Sequence, residues 1–222
     1  MSETSSISWR RPQIVPLGDA AVLVRFGASL DDEANSAALK LAQRLSGAPI
    51  DGVLEVVPSL VSVLVRYDPG RIEPFRLSGE IALLLEEQSA MAAREHAINV
   101  RFGGEGGPDL EFVAESLGLS VSASIDQHCA MPLRVLATGF APGFVYCGFH
   151  PEGLALPRRQ QVRAKVPAGS VLFAARQTAI AATDIPTGWH VIGRTDFRNF
   201  DATQMPPTQI AAGDMIRFEA AT

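Results

Sequence analysis

The residues able to do chemistry gather between Thr138 and Thr195. Three cations, Arg158, Lys165 and Arg194, fall among turns in this stretch, with Arg163 close by. Cations fixed at turns suit a carboxylate or a related anion, which an arginine grips through two parallel hydrogen bonds. The alternative is a solvated basic patch, the better reading for the adjoining Arg159. Gln177 and Thr178 are neutral hydrogen-bonding groups in an alanine-rich run, and they either read an amide or lactam or form a structural turn. Phe140, Pro142, Gly143, Phe144 and Tyr146 lie in one loop sequence, Gly139 to Tyr146. It builds either a ligand loop flanked by rings or a rigid barrel corner with core aromatics, and a buried Tyr146 phenol needs a partner. Ser170, after Gly169, can donate to a ligand, but without a Gly-x-Ser-x-Gly elbow it is not read as a nucleophile. Trp189 reads as core before it reads as a stacking platform. His128 is a candidate acid or base, although a lone histidine at a helix end more often caps or packs.

Other chemistries are excluded or disfavoured. His96, His128, His150 and His190 are far apart and show no HxxxH spacing, so no metal site is assigned. Gly103, Gly104, Gly106 and Gly107 invite comparison with a phosphate loop, but no Lys-Ser/Thr follows and the GxGxxG pattern is missing. Cys129 and Cys147, the two cysteines, allow a single disulfide but are more often, in a chain of this type, buried and reduced thiols. A net charge of −5 over 222 residues argues against nucleic acid as a partner. No apolar run is long enough for a membrane span, and Met1 to Ser6 lacks the blocks of a signal peptide, so a cytoplasmic protein is expected.

The elements that must position these groups follow from periodicity. Residues 1–11 read as a disordered tail. From Ile14 to Phe26 two strands flank a turn at Leu17-Gly18-Asp19. Asp31 and Asp32 then open a helix with apolar positions Ala34, Ala38, Leu41 and Leu45, ending at Ser46-Gly47. Strands over 53–57 and 60–67 and a helix over 74–89 complete an α+β domain, ferredoxin-like in plan, over 12–95. In 96–222 a strand at 98–102 and two short helices precede runs at 133–137, 145–146, 171–174, 180–181, 190–192 and 215–218. Short β-prone runs at such intervals, punctuated by Gly and Pro, predict a closed or nearly closed barrel. Leu156-Pro157-Arg158 and Val162-Arg163 look like a weak hairpin motif.

Taken in order, these motifs resemble one family. They are Leu17-Gly18-Asp19, Val65-Arg66-Tyr67-Asp68-Pro69, Gly103-Gly104-Glu105, Gly107-Pro108-Asp109-Leu110 and His128. Gly139-Phe140, Pro142-Gly143-Phe144, Tyr146, Pro157-Arg158, Val166 to Val171, Gln177-Thr178, Gly188-Trp189 and Ile192 to Thr195 follow. The family includes the B subunit of bacterial 5-oxoprolinase, the Kip-type inhibitor of a sensor histidine kinase, and the protein labelled allophanate hydrolase subunit 1. The carboxyltransferase segment of urea carboxylase, subdomains C and D, is similar as well. The resemblance implies a ferredoxin-like domain followed by a cyclophilin-like β-barrel. It also implies a hetero-oligomer in which the partners are a related barrel of the C-subunit type and the A subunit. The implied reaction is hydrolysis of a small lactam or amide, 5-oxo-L-proline to L-glutamate, with ATP used by the complex and its site left open between this chain and a partner. The two alternative readings are a kinase-binding inhibitor and a carboxyltransferase half. Biotin belongs only to the latter and would come from a partner, since the chain has no Met-Lys motif.

Several positions depart from the family pattern. Ala-Gly-x-Gln-Thr-Gly-Ile-Tyr-Pro is here Ala174-Ala175-Arg176-Gln177-Thr178-Ala179-Ile180-Ala181-Ala182, so two glycines have gained a methyl that restricts φ > 0. Thr187 replaces a glycine, and Val145, Phe149 and Val162 stand where the pattern has proline or glycine. These changes fall in the stretch expected to form the site.

Overall fold

A computed structural model describes residues 8–86 and 93–221. The chain divides into two units at the Ala92–Ala93 boundary. In the first, β1 (Ser8–Pro16) and β2 (Ala21–Gly27) flank a turn in which Gly18 takes φ +65°. Strand β1 begins well before the expected Ile14, so residues 8–11 belong to a strand and not to a disordered tail; residues 1–7 lie outside the described residues. Helix α1 (Asp32–Gly47) starts as expected, with the Asp31 side chain accepting the Ala34 N–H at 2.8 Å. Then come β3 (Val53–Pro58), β4 (Ser62–Tyr67) and α2 (Pro74–Glu86). The end of the expected second helix, to Ser89, falls outside the described residues.

Alternation puts Val22, Val24, Val63, Val65 and Tyr67 on one face of an antiparallel sheet ordered β1-β2-β4-β3. There they share a core with Ala38, Leu41 and Leu45 of α1 and with Leu77 and Ile81 of α2. The run β2-α1-β3-β4-α2 follows a ferredoxin-like order, but the strand beside β2 is the preceding β1 and not one that follows α2.

The second unit runs β5 (Glu95–Phe102), α3 (Leu110–Ser116), α4 (Val121–Cys129), β6 (Leu133–Thr138) and β7 (Val145–Gly148). It continues with β8 (Arg163–Val166), β9 (Ser170–Ala174), β10 (Gln177–Ile180), β11 (Ile185–Thr187), β12 (His190–Arg194) and β13 (Met215–Ala220). Seven of these close a barrel in the order β10-β7-β6-β13-β5-β12-β9, with β13 parallel to β5. Inward side chains Val100, Val135, Cys147, Val171, Phe173, Ile192 and Phe218 fill it. The other face of β9, β10 and β12 is also buried: Leu172, Ala179 and Val191 pack against Phe144, Trp189, Val166 and Ile185. That double burial explains why 170–174 reads as a continuous apolar run with no alternation.

Two strands were not anticipated. β8 and β11 pair in a separate two-stranded sheet, and their sequences, Arg-Ala-Lys-Val and Ile-Pro-Thr, carry little β signal. The hairpin expected around 156–163 is instead an irregular strap leading into β8. Gln177 and Thr178 open strand β10, and the turn lies one step earlier, at Ala175-Arg176. The glycine cluster serves packing. Gly107 lies so close to β12 that a Cβ there would collide with the Ile192 carbonyl, and the Gly103 N–H donates to that same oxygen at 3.0 Å.

Candidate functional site

The loop after β6 is held from both ends. Gly139 donates to the Phe144 carbonyl at 3.1 Å, and Phe144 donates to the Ala141 carbonyl at 3.0 Å. Gly143 sits at φ +69°, where a Cβ would lie 2.6 Å from the Phe200 Cβ and 2.9 Å from the Ala182 Cβ; only glycine fits. Buried Asn199 locks the loop. Its amide donates to the Gly143 carbonyl at 3.1 Å, and its oxygen accepts the N–H groups of Gln209 (3.1 Å) and Ile210 (2.8 Å).

This loop launches a ladder of rings across the outer face of the barrel. Phe140, 69% exposed and at φ +74°, meets Phe144 edge-on at 5.5 Å. Phe144 meets Tyr146 at 4.7 Å, and Tyr146 meets Trp189 at 6.0 Å. The Arg158 guanidinium lies 5.5 Å from the Trp189 ring centre, a cation–π arrangement. Burial raises the Tyr146 pKa, and the Arg158 charge pulls it partly back. Thr187, a departure from the family pattern, accepts the Trp189 N–H at 3.0 Å.

Lys165 and Arg194 both act on Asp184. Lys165 pairs with Asp184 at 2.8 Å near the surface, which raises its pKa, and Asp184 also accepts the Ala168 N–H at 2.9 Å. Arg194 ends β12, its Cβ against Gly106. Gly169, at φ +86°, approaches the Thr195 carbonyl too closely for any Cβ, and the Ser170 hydroxyl donates to the Pro167 carbonyl at 2.7 Å. Arg159, read from sequence as solvated, instead donates to buried Asp109 at 2.8 Å, and Arg163 grips the same carboxylate with two bonds. Burial raises the Asp109 pKa, but the Arg163 hydrogen bond, the Val191 N–H and the two arginine charges outweigh it and hold the group below its ordinary value.

Thr178 faces the barrel interior. Its hydroxyl lies 2.7 Å from His150 Nε2 and 3.3 Å from His128 Nε2, so its one proton serves one ring while its lone pairs serve the other. The two imidazoles are 4.6 Å apart, and His128 also packs against Phe102, Phe173 and Phe218. Burial lowers the His150 pKa to about 4, with Arg176 adding to the shift, and drives His128 well below its usual value. Both are neutral, buried groups at pH 7. Among the described residues no group of three or more His, Cys, Asp and Glu is placed to hold a metal ion.

Sequence reasoning missed Asp109, Asn199 and His150. Asp109 looked like the start of a helix, and His150 looked isolated because its neighbours in space come from α4 and β10. The hydroxyl next to Gln177, inward on a strand that alternates, was the one available pointer.

A family model for the carboxyltransferase domain, subdomain C and D, matches residues 12–210. The chain belongs to this carboxyltransferase-domain family. Among relatives, the 5-oxoprolinase B subunit of Bacillus subtilis (strain 168) is 35% identical, covering 94% of this chain and 92% of its own length. That of Escherichia coli O157:H7 is 34% identical over 94% and 96%. The solved structure of TTHA0988 superposes with a TM-score of 0.80 at 36% identity, over 91% of this chain; the chain spans 40% of that protein's length.

Within this carboxyltransferase-domain fold the two alanines that replace family glycines differ in consequence. Ala175 takes φ +50° at the hairpin tip, the conformation a glycine would accept freely. Ala179 sits in regular β10, opposite Tyr146 and Leu172, and its methyl packs in the outer layer. The expected restriction of φ > 0 therefore applies at Ala175 and does not arise at Ala179. Ala181, in place of a tyrosine, is also buried in that layer, beside the ring ladder.

Proposed function

We propose that this chain is the B-type component of a cytoplasmic, ATP-dependent 5-oxoprolinase complex that adds water across the lactam C–N bond of 5-oxo-L-proline to release L-glutamate. The observation that carries this reading is near end-to-end identity, 34–35%, with two 5-oxoprolinase B subunits. The geometry is compatible with a substrate-holding role. Arg158, over Trp189 and near Tyr146, offers a guanidinium fork for the substrate carboxylate and an aromatic wall for its ring.

Ring opening then draws on partner subunits. The Ser170 and Thr178 hydroxyls are buried and committed to hydrogen bonds. The glycine cluster is closed against β12, which favours an ATP site on a partner, either the A subunit or the related barrel of the C-subunit type.

Co-producing the chain with its A-type and C-type partners and assaying ATP-dependent glutamate release tests this. Turnover that disappears when any one component is omitted is expected; a folded, stoichiometric complex with no turnover would sink the proposal. Suppression of sensor-histidine-kinase autophosphorylation by the chain alone would favour the kinase-inhibitor reading. A requirement for a biotin carrier would favour the carboxyltransferase one.

A further inference from the structure

Arg158 lies between two anchored neighbours. On one side the Pro157 carbonyl accepts from His190 Nε2 at 3.0 Å; on the other the Arg159 N–H donates to the Gly188 carbonyl at 2.7 Å. The Arg159 and Arg163 guanidinium groups both close on Asp109. Asp109 is in turn fastened to β12: its carboxylate accepts the Val191 N–H at 2.7 Å, and its own N–H donates to the Val191 carbonyl at 3.0 Å. One buried carboxylate therefore ties the strap that carries Arg158 to the strand that follows Trp189, the ring beneath the Arg158 guanidinium. Among the described residues Arg158 has no carboxylate within ion-pair distance.

Stability alone is a poor account of this cluster. Buried ion pairs seldom outperform well-packed apolar side chains of the same volume, but they do specify one geometry. Fixing the backbone of an exposed arginine while keeping its charge unneutralised is what a preorganised anion receptor requires.

We propose that Asp109 is the positioning residue of the site: through Arg159 and Arg163 it holds Arg158 over Trp189, ready to take a substrate carboxylate. That the carboxylate belongs to a lactam acid rests on the function proposed above; the lock itself does not.

A double-mutant cycle in the reconstituted complex tests it. Asp109→Asn and Arg158→Met should each raise KM for 5-oxo-L-proline about tenfold, the loss of one charge-assisted contact, with kcat within about twofold. If Asp109 acts through Arg158, the double variant has the KM of Arg158→Met; independent, multiplying effects overturn the proposal. Arg163→Gln, which breaks the lock from the strap side without touching β12, should give the same result if Asp109→Asn does not fold. Limited trypsin digestion of the full chain decides the lock separately from the reaction. Cleavage after Arg158, Arg159 or Arg163 should rise about tenfold in Asp109→Asn, since cutting follows the population of the opened strap, while cleavage after Arg25 and Arg66 keeps its rate. Unchanged cleavage in the strap refutes the lock. A complex without turnover but with a loosened strap refutes only the assigned reaction.

Discussion

Replacing Ala175 by glycine should stabilise the barrel, and the hairpin that joins β9 to β10 says by how much. The two-residue tip holds Ala175 at φ +50° and Arg176 at φ +63°, both left-handed, between Ala174 and Gln177, which pair directly. Such two-residue tips suit the twist of a hairpin but require φ > 0 at both central residues. An L-residue in this region costs roughly 1–2 kcal/mol through its Cβ, whereas glycine enters freely but loses about 0.5–1 kcal/mol more conformational entropy on folding.

Ala175 is exposed, and its N–H bond to the Leu156 carbonyl, at 2.6 Å, survives the change. The net gain is then about 0.5–1 kcal/mol, a rise in Tm of about 1–4 °C for a chain of this length. Arg176→Gly relieves a similar φ but deletes the bond from Arg176 Nε to the His150 carbonyl at 2.9 Å. Losing a hydrogen bond from a charged group costs about 1.5–3 kcal/mol, so that variant should be less stable than the parent. Thermal unfolding read from Trp189 emission in a Trp9→Phe background, with urea midpoints alongside, separates the two. An Ala175→Gly midpoint equal to or below the parent, or an Arg176→Gly gain as large, would refute the reasoning.

Two further outcomes follow from the interior. His150, held neutral with a pKa of about 4 against an unfolded value near 6.5, binds its proton more tightly in the unfolded chain. Stability is therefore full above about pH 6.5 and falls as pH drops toward 4, by roughly 3 kcal/mol from His150 alone. Asp109 and Asp214, whose folded pKa values lie below 3.8, lose their contributions in a lower window. Urea midpoints from pH 8 to 4 should show the slope, and His150→Gln should flatten it; an equal slope in that variant contradicts the assignment. Gly107→Ala forces a methyl against the Ile192 carbonyl where backbone faces backbone, so a loss of about 1–3 kcal/mol is expected in the same urea titration, and a neutral result would mean β12 can move aside.

What the residues determine without a structure is local and periodic. Asp31 before an apolar 3–4 repeat dictates a capped helix; Val22 to Phe26 and Ser62 to Tyr67 alternate because one face of their sheet is buried; Gly143 marks a turn that only glycine can make. Motif order was enough to identify the family. β8 and β11 escaped because they are formed by pairing with each other over the outer layer and not by their own propensity. Barrel closure decided the rest, since it sets which distant residues become neighbours. It brings His128 and His150 to either side of Thr178, and it sends Arg159 and Arg163 to a carboxylate fifty residues or more away in the chain. It leaves Arg158 exposed over Trp189. Charge and spacing alone cannot distinguish these three arginines, because which of them is neutralised depends on where one buried aspartate lies.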